Sequence, residues 1–233
     1  MNSAEKKYLE NTKVLFESWK NKKPSATINH NDNVFIRDGV VCPSIWFSSK
    51  IRPLFLLKEA YGGVNDWDLV EQQLRIGENM SSKMWKRVAH WTHGLFTATA
   101  TEFEPYSKYK GTTYKDNEDL KKIAVINIKK SNGKKSSNRD ILKEYAEYDR
   151  IELLQQLEIC DPTIIICGYT GQYLDIFAHE HIRKNQNENY FYYMTLNNHD
   201  VLIIDYWHPA NQYPDLLNYY GLMSIYQLAL KNT

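Results

Sequence analysis

VLIIDYWHPANQYP, residues 201–214, changes character half-way along. Four apolar residues run into Asp205, two large aromatics and then His208-Pro209. A short, continuous apolar run rich in β-branched residues is the pattern of a strand buried on both faces. Proline cannot donate to a sheet ladder and restricts the residue before it, so the strand should stop here and leave His208 at its carboxyl end. Three further runs read the same way: PLFLLKE from Pro53, IAVINI from Ile123 and TIIICG from Thr163. Helical patterns lie between them. DWDLVEQQLRIGENMSSKMWKRVAHWTHGLF reads as one or two helices, ILKEYAEYDRIELLQQLEIC as one amphipathic helix ending before Asp161-Pro162, and GQYLDIFAHEHIRKN as another. PDLLNYYGLMSIYQLALKN closes the chain as a helix with Pro214 near its first turn. The alternation predicts an α/β fold, a three-layer αβα sandwich around a central four-stranded parallel sheet.

The chain has 233 residues, 42% hydrophobic and 24% charged, which suits a single domain over 1–233. Residues 1–50 form an N-terminal extension. It opens as an amphipathic polar helix and continues into VFIRDGVVCPSIWF, where Asp38-Gly39 between apolar residues predicts a hairpin or tight turn and an accessory edge. The sequence has no apolar run long enough to span a bilayer and no secretory pattern, so a cytoplasmic protein without a membrane partner is expected. Cys42, Cys160 and Cys167 lack metal-ligand spacing, and buried thiols are expected rather than disulfides, zinc or any cofactor. The formal net charge is only +1, but Lys121, Lys122, Lys129, Lys130, Lys134, Lys135, Arg139 and Lys143 face Asp140 alone. Such a run is either a solvated loop or a phosphate-binding one.

In open parallel sheets the ligand lies beyond the carboxyl ends of the strands. The first strand delivers Lys58-Glu59-Ala60-Tyr61-Gly62-Gly63 to that rim and the second Asn127-Ile128-Lys129-Lys130. The third delivers Gly168-Tyr169-Thr170 and the fourth Tyr206-Trp207-His208. A carboxylate, an amide, a small turn and an imidazole converge.

KEAYGG, AVINIKKSNGKKSSNRD, DPTIIICGYTGQ and DYWHPANQYP, in that order, resemble the motifs of the uracil-DNA glycosylase superfamily over roughly residues 51–214. Its members carry GQDPY or GEAPG after the first strand, an Asn at the end of the second, an apolar third strand ending near Gly, and HPS after the fourth. Lys58 and Tyr61 stand where GEAPG has Gly and Pro, and Ala210-Asn211 follows His-Pro in place of Ser-Pro. The resemblance implies a monofunctional glycosylase that flips a nucleotide out of DNA and hydrolyses its N-glycosidic bond. The base would be uracil or a modified cytosine, such as that of invading phage DNA.

The transition state places positive charge on the sugar and negative charge on the departing base. The resemblance implies that Glu59 serves the sugar and the attacking water, and that His208 donates to the base. The plainer reading of Glu59 is a pair with Lys58 or a turn cap, and of His208 a structural hydrogen bond. Asn127 resembles the amide that reads the flipped base, or forms an Asx turn. Gly62 lets the backbone approach the nucleotide or simply closes a turn. Tyr61, Trp67 and Trp85 are candidates for stacking on the base, or core residues. Lys129, Lys130, Asn132, Lys134, Lys135 and Ser136 form a candidate DNA-backbone loop, and Gln212 and Tyr213 a candidate wedge. DNA, as duplex or single strand, is the expected partner of a monomeric protein. The alternative is a DNA-binding protein that keeps this scaffold without catalysis.

Overall fold

The computed structural model describes residues 2–75, 82–109, 118–134, 136–183 and 190–232. The four apolar runs form β2 (Pro53–Glu59), β4 (Ala124–Lys129), β5 (Ile164–Gly168) and β8 (His199–Tyr206). They pair in parallel in the order β4-β2-β5-β8. The sheet does not stop at four strands, however. β7 (Phe191–Leu196) pairs antiparallel with β8, and β6 (Ile182–Arg183) antiparallel with β7, giving a mixed sheet of six. The extra hairpin turns at Asn197-Asn198, with φ of 48° and 65°. Two consecutive left-handed residues close a two-residue hairpin loop, and asparagine tolerates that region better than most side chains.

Alternate residues of each strand enter opposite cores. Phe55 and Leu57 of β2 join Val125, Ile166, Ile204 and Tyr206 on one face, where α3 (Lys83–Thr97) and α7 (Asp215–Lys231) cover them. Leu54 and Leu56 join Ala124, Ile126, Ile165 and Ile203 on the other, beneath α1 (Ser3–Lys20), α4 (Arg139–Tyr148), α5 (Arg150–Cys160) and α6 (Gly171–Ala178). Each such buried Leu or Ile contributes about 1.5–3 kcal/mol relative to exposure, so strands with two apolar faces specify helices on both sides.

Three local expectations are corrected. The run 141–160 is two helices: α4 ends at Asp149, whose N–H still reaches Tyr145 O while its carboxylate is buried against His30. The helix expected from Gly171 ends at Ala178, and Ile182–Arg183 has become edge strand β6. Residues 34–47 form no hairpin. β1 (Ile36–Arg37) pairs in parallel with β3 (Trp67–Asp68), and Pro43–Trp46 is a short helix, α2. The segment runs instead along the outer edge of β4, with an antiparallel bridge between Val40 and Ala124 and bonds from Val125 N–H to Gly39 O and from Ile36 N–H to Lys130 O. Gly39 is required there: φ is +148°, and a Cβ would lie 2.6 Å from the Tyr8 hydroxyl.

Candidate functional site

β2 sends its next connection to the α3 face and β5 sends its own to the α6 face, so the crevice between their carboxyl ends is the sheet's switch point. A cavity of about 360 Å³ opens there, lined by Glu59, Asn127, His208, Tyr61, Trp85 and Gln73 among others. Strand alternation explains the convergence. Leu57 and Glu59 point to the same side of β2, Leu57 is in register with Asn127, and Tyr206 sets the same side of β8 two residues before His208. β5 lies between β2 and β8, yet it does not wall the acid from the imidazole, because its last residue is Gly168. A Cβ on Gly168 would stand 2.9 Å from Leu57 Cδ2 and 3.4 Å from His208 Cδ2.

His208 accepts a hydrogen bond at Nδ1 from the Ala210 N–H at 3.1 Å. In a neutral ring the proton is then on Nε2, the nitrogen left to donate. Burial, with a smaller contribution from the Lys58 ammonium, pushes the His208 pKa down to about 4, so the ring is neutral near pH 7. The loop that carries it is held from two helices. Arg87 of α3, itself buried, donates to Pro209 O at 2.7 Å, Asn211 O at 3.1 Å and Tyr213 O at 3.1 Å, and its Nε reaches Asp215 at 3.0 Å. Asn218 of α7 donates to Tyr213 O and Pro214 O and exchanges amide hydrogen bonds with Asn211. Neither residue was singled out from sequence. Arg87 does sit on the apolar stripe of its helix, one turn from Met84 and Trp91, and a cation on such a stripe signals a buried partner.

Glu59 is nearly buried and ion-paired with Lys129, Nζ to Oε2 at 3.0 Å. The loop after β4 closes over it, with Gly133 N–H on Ala60 O at 2.6 Å and Asn132 Nδ2 on Gly63 O at 2.7 Å. Gly133 must be glycine, since a Cβ would fall 2.7 Å from both Ala60 O and Glu59 Cγ. Asn127 is held by Asp38, whose Oδ2 accepts from its backbone N–H at 2.8 Å and its Nδ2 at 3.1 Å. Asp38 Oδ1 accepts from Lys130 Nζ at 2.5 Å and Gln156 Nε2 at 2.9 Å. A larger cleft of about 470 Å³ between α1 and the β1–β3 pair has Asp38 in its wall but shares no lining residue with the strand-end cavity. Two ion pairs lie within it, Lys20 with Asp66 and Arg37 with Asp68.

Several sequence expectations change accordingly. Lys130 is not a phosphate contact: it is fully buried, paired with Asp38 and 5.2 Å from the Trp19 ring centroid. Lys129 and Asn132 are spent inside the loop. Trp67 is buried outside the cavity lining and donates its Nε1–H to Gly62 O at 3.0 Å, which braces the turn. Gly62, with φ of +104°, has open space where a Cβ would be. Tyr61 and Trp85 do line the cavity, the first 72% exposed and the second in the core. Lys134, Ser136, Gln212 and Tyr213 are exposed, as a contact surface requires, while Lys135 lies outside the described residues.

No family model and no curated protein matches the chain. The order of its motifs and the geometry of this cavity therefore carry the functional reading. Among the described residues, no helix is long and apolar enough to cross a membrane.

Proposed function

We propose that the protein is a monofunctional DNA glycosylase. It would take one flipped nucleotide into the strand-end cavity, hydrolyse the N-glycosidic bond and leave an abasic site, releasing uracil or a modified cytosine. The observation that supports this most is the pairing, across one cavity, of a neutral His208 with its donor nitrogen free and a Glu59 carboxylate held by Lys129. Water attacks the anomeric carbon as the bond to the base breaks. The electron pair leaves with the base, whose growing negative charge accepts from His208 Nε2–H. The water's proton passes to Glu59 or to solvent, and the released base is reprotonated. Lys129 Nζ is held by Glu59 and Asn132 O and so is not free to act as the attacking amine of Schiff-base chemistry.

The test is strand breakage by alkali after incubation with oligonucleotides carrying uracil, hydroxymethylated or glycosylated cytosine. Glu59→Gln should slow base release by roughly 10²–10⁴-fold and His208→Ala by roughly 10²–10³-fold. Absence of alkali-labile sites with every base, modified phage DNA included, defeats the proposal. The ion pair of Glu59 with Lys129 also favours a second reading, a binding protein without catalysis, since that carboxylate is already engaged. That reading predicts DNA binding that survives both substitutions without base release.

A further inference from the structure

We infer that the strand presented to the cavity is single-stranded, laid over a row of exposed tyrosines at the sheet's carboxyl rim. The inference rests on the base-excision reading for the fate of the bound nucleotide, and on separate observations for the strand. Tyr61, Tyr169 and Tyr213 are 72%, 53% and 52% exposed, and they belong to the loops after β2, β5 and β8. Those strands are consecutive in the sheet, so the three loops leave neighbouring strands. Val64, three residues after Tyr61, is 91% exposed.

Folding alone does not account for this row. Tyr169 has φ of 58°, a left-handed conformation that costs a non-glycine residue about 1–2 kcal/mol. Its N–H bonds to Tyr206 O at 2.8 Å and to Cys167 O at 2.9 Å, which fixes the strained backbone. A glycine would fit the turn with less strain. Tyr213 is backed by the Trp207 ring, centroids 4.6 Å apart, so it too is presented as a rigid face. The charges suit phosphates. Lys58 Nζ lies 5.6 Å from the Tyr169 ring centroid and close to Arg139, and Arg139 and Lys134 are exposed. Of the acids at this end of the sheet, Glu59 is paired with Lys129, while Asp205 near the end of β8 is exposed.

Exposed rings beside cations that form no ion pair among the described residues match a single strand, whose bases are free to stack on aromatic faces. A duplex keeps its bases stacked on each other and opens to a ring only where a step is unstacked.

The experiment measures anisotropy of a labelled mixed-sequence oligonucleotide, alone and annealed to its complement, on the full chain carrying Glu59→Gln to prevent turnover. The single strand should bind at least tenfold tighter than the duplex. Log affinity should fall against log salt with a slope of roughly −2 if Lys58, Lys134 and Arg139 each meet a phosphate. Tyr61→Ala and Tyr213→Ala should each weaken binding by roughly 5- to 150-fold. Tyr169→Gly should weaken it likewise while leaving the melting temperature unchanged or higher, which a merely structural tyrosine would not do. Equal or tighter duplex binding, no binding to either form, or affinity indifferent to the three tyrosines overturns the inference. Base release is scored separately on the unsubstituted chain. Loss of excision with single-strand binding intact fails the glycosylase reading alone, and excision from duplex with no single-strand preference fails this inference alone.

Discussion

Lys130→Met isolates the buried pair on which the site's amide depends. Asp38 and Lys130 side chains are both fully buried, and the carboxylate takes four donors: Lys130 Nζ, Gln156 Nε2, and the backbone and side-chain nitrogens of Asn127. Removing the ammonium leaves a buried anion with three neutral donors. Breaking one side of such a pair costs about 3–5 kcal/mol, and the three remaining hydrogen bonds place this case toward the lower figure. For a chain of this size that lowers the melting temperature by roughly 6–20 °C. Urea unfolding followed by tryptophan fluorescence should show that deficit. The double variant Asp38→Leu/Lys130→Met should recover much of the loss, because no charge is then stranded. A deficit under about 1 kcal/mol for Lys130→Met, or additive costs in the double variant, refutes the account. So would normal stability with weakened DNA binding, the result expected of a phosphate contact.

Two other substitutions probe the imidazole. Gly168→Ala places a methyl 2.9 Å from Leu57 and 3.3–3.4 Å from Pro209 and His208; it should cost about 1–3 kcal/mol and reduce the excision rate by up to ~10²-fold, and wild-type stability with full rate would show the approach to be slack. His208 and His90 are both pushed down to about 4 from 6.5, chiefly by burial. The unfolded chain then binds more protons between those values, so stability is fully present above about 6.5 and declines as pH falls toward 4. His208→Gln should flatten that decline in urea titrations, and an unchanged slope contradicts the burial argument.

What was readable from the sequence followed the side-chain period. The four doubly buried strands and the delivery of Glu59, Asn127 and His208 to one rim needed only continuous apolar runs and the breaker at Pro209. β7 was overlooked because FYYMTL alternates imperfectly, with Tyr192 and Tyr193 both half-buried, although Asn197-Asn198 before HDVLIID was a usable hairpin signal. Lys129 and Lys130 illustrate the limit. Both belonged to one basic run, yet consecutive residues leaving a strand point to opposite sides, so one meets Glu59 and the other Asp38. Asp38 lies 92 residues from Lys130, and no local pattern announces that meeting. Trp67 and Trp85 were indistinguishable by composition; only the tertiary fold puts one behind the turn and the other in the cavity wall.

The segment along the outer side of β4 bears on how the molecule behaves among its own copies. Any open sheet ends in two rows of unpaired amides and carbonyls that invite a neighbour's chain. Here one row is claimed by Gly39, Val40 and Val41, and the other belongs to β6, a strand of two residues bearing Arg183. Trimming the chain past Val41 would therefore do more than delete a helix: it would uncover the outer ladder of β4 and leave an edge on which another copy could pair.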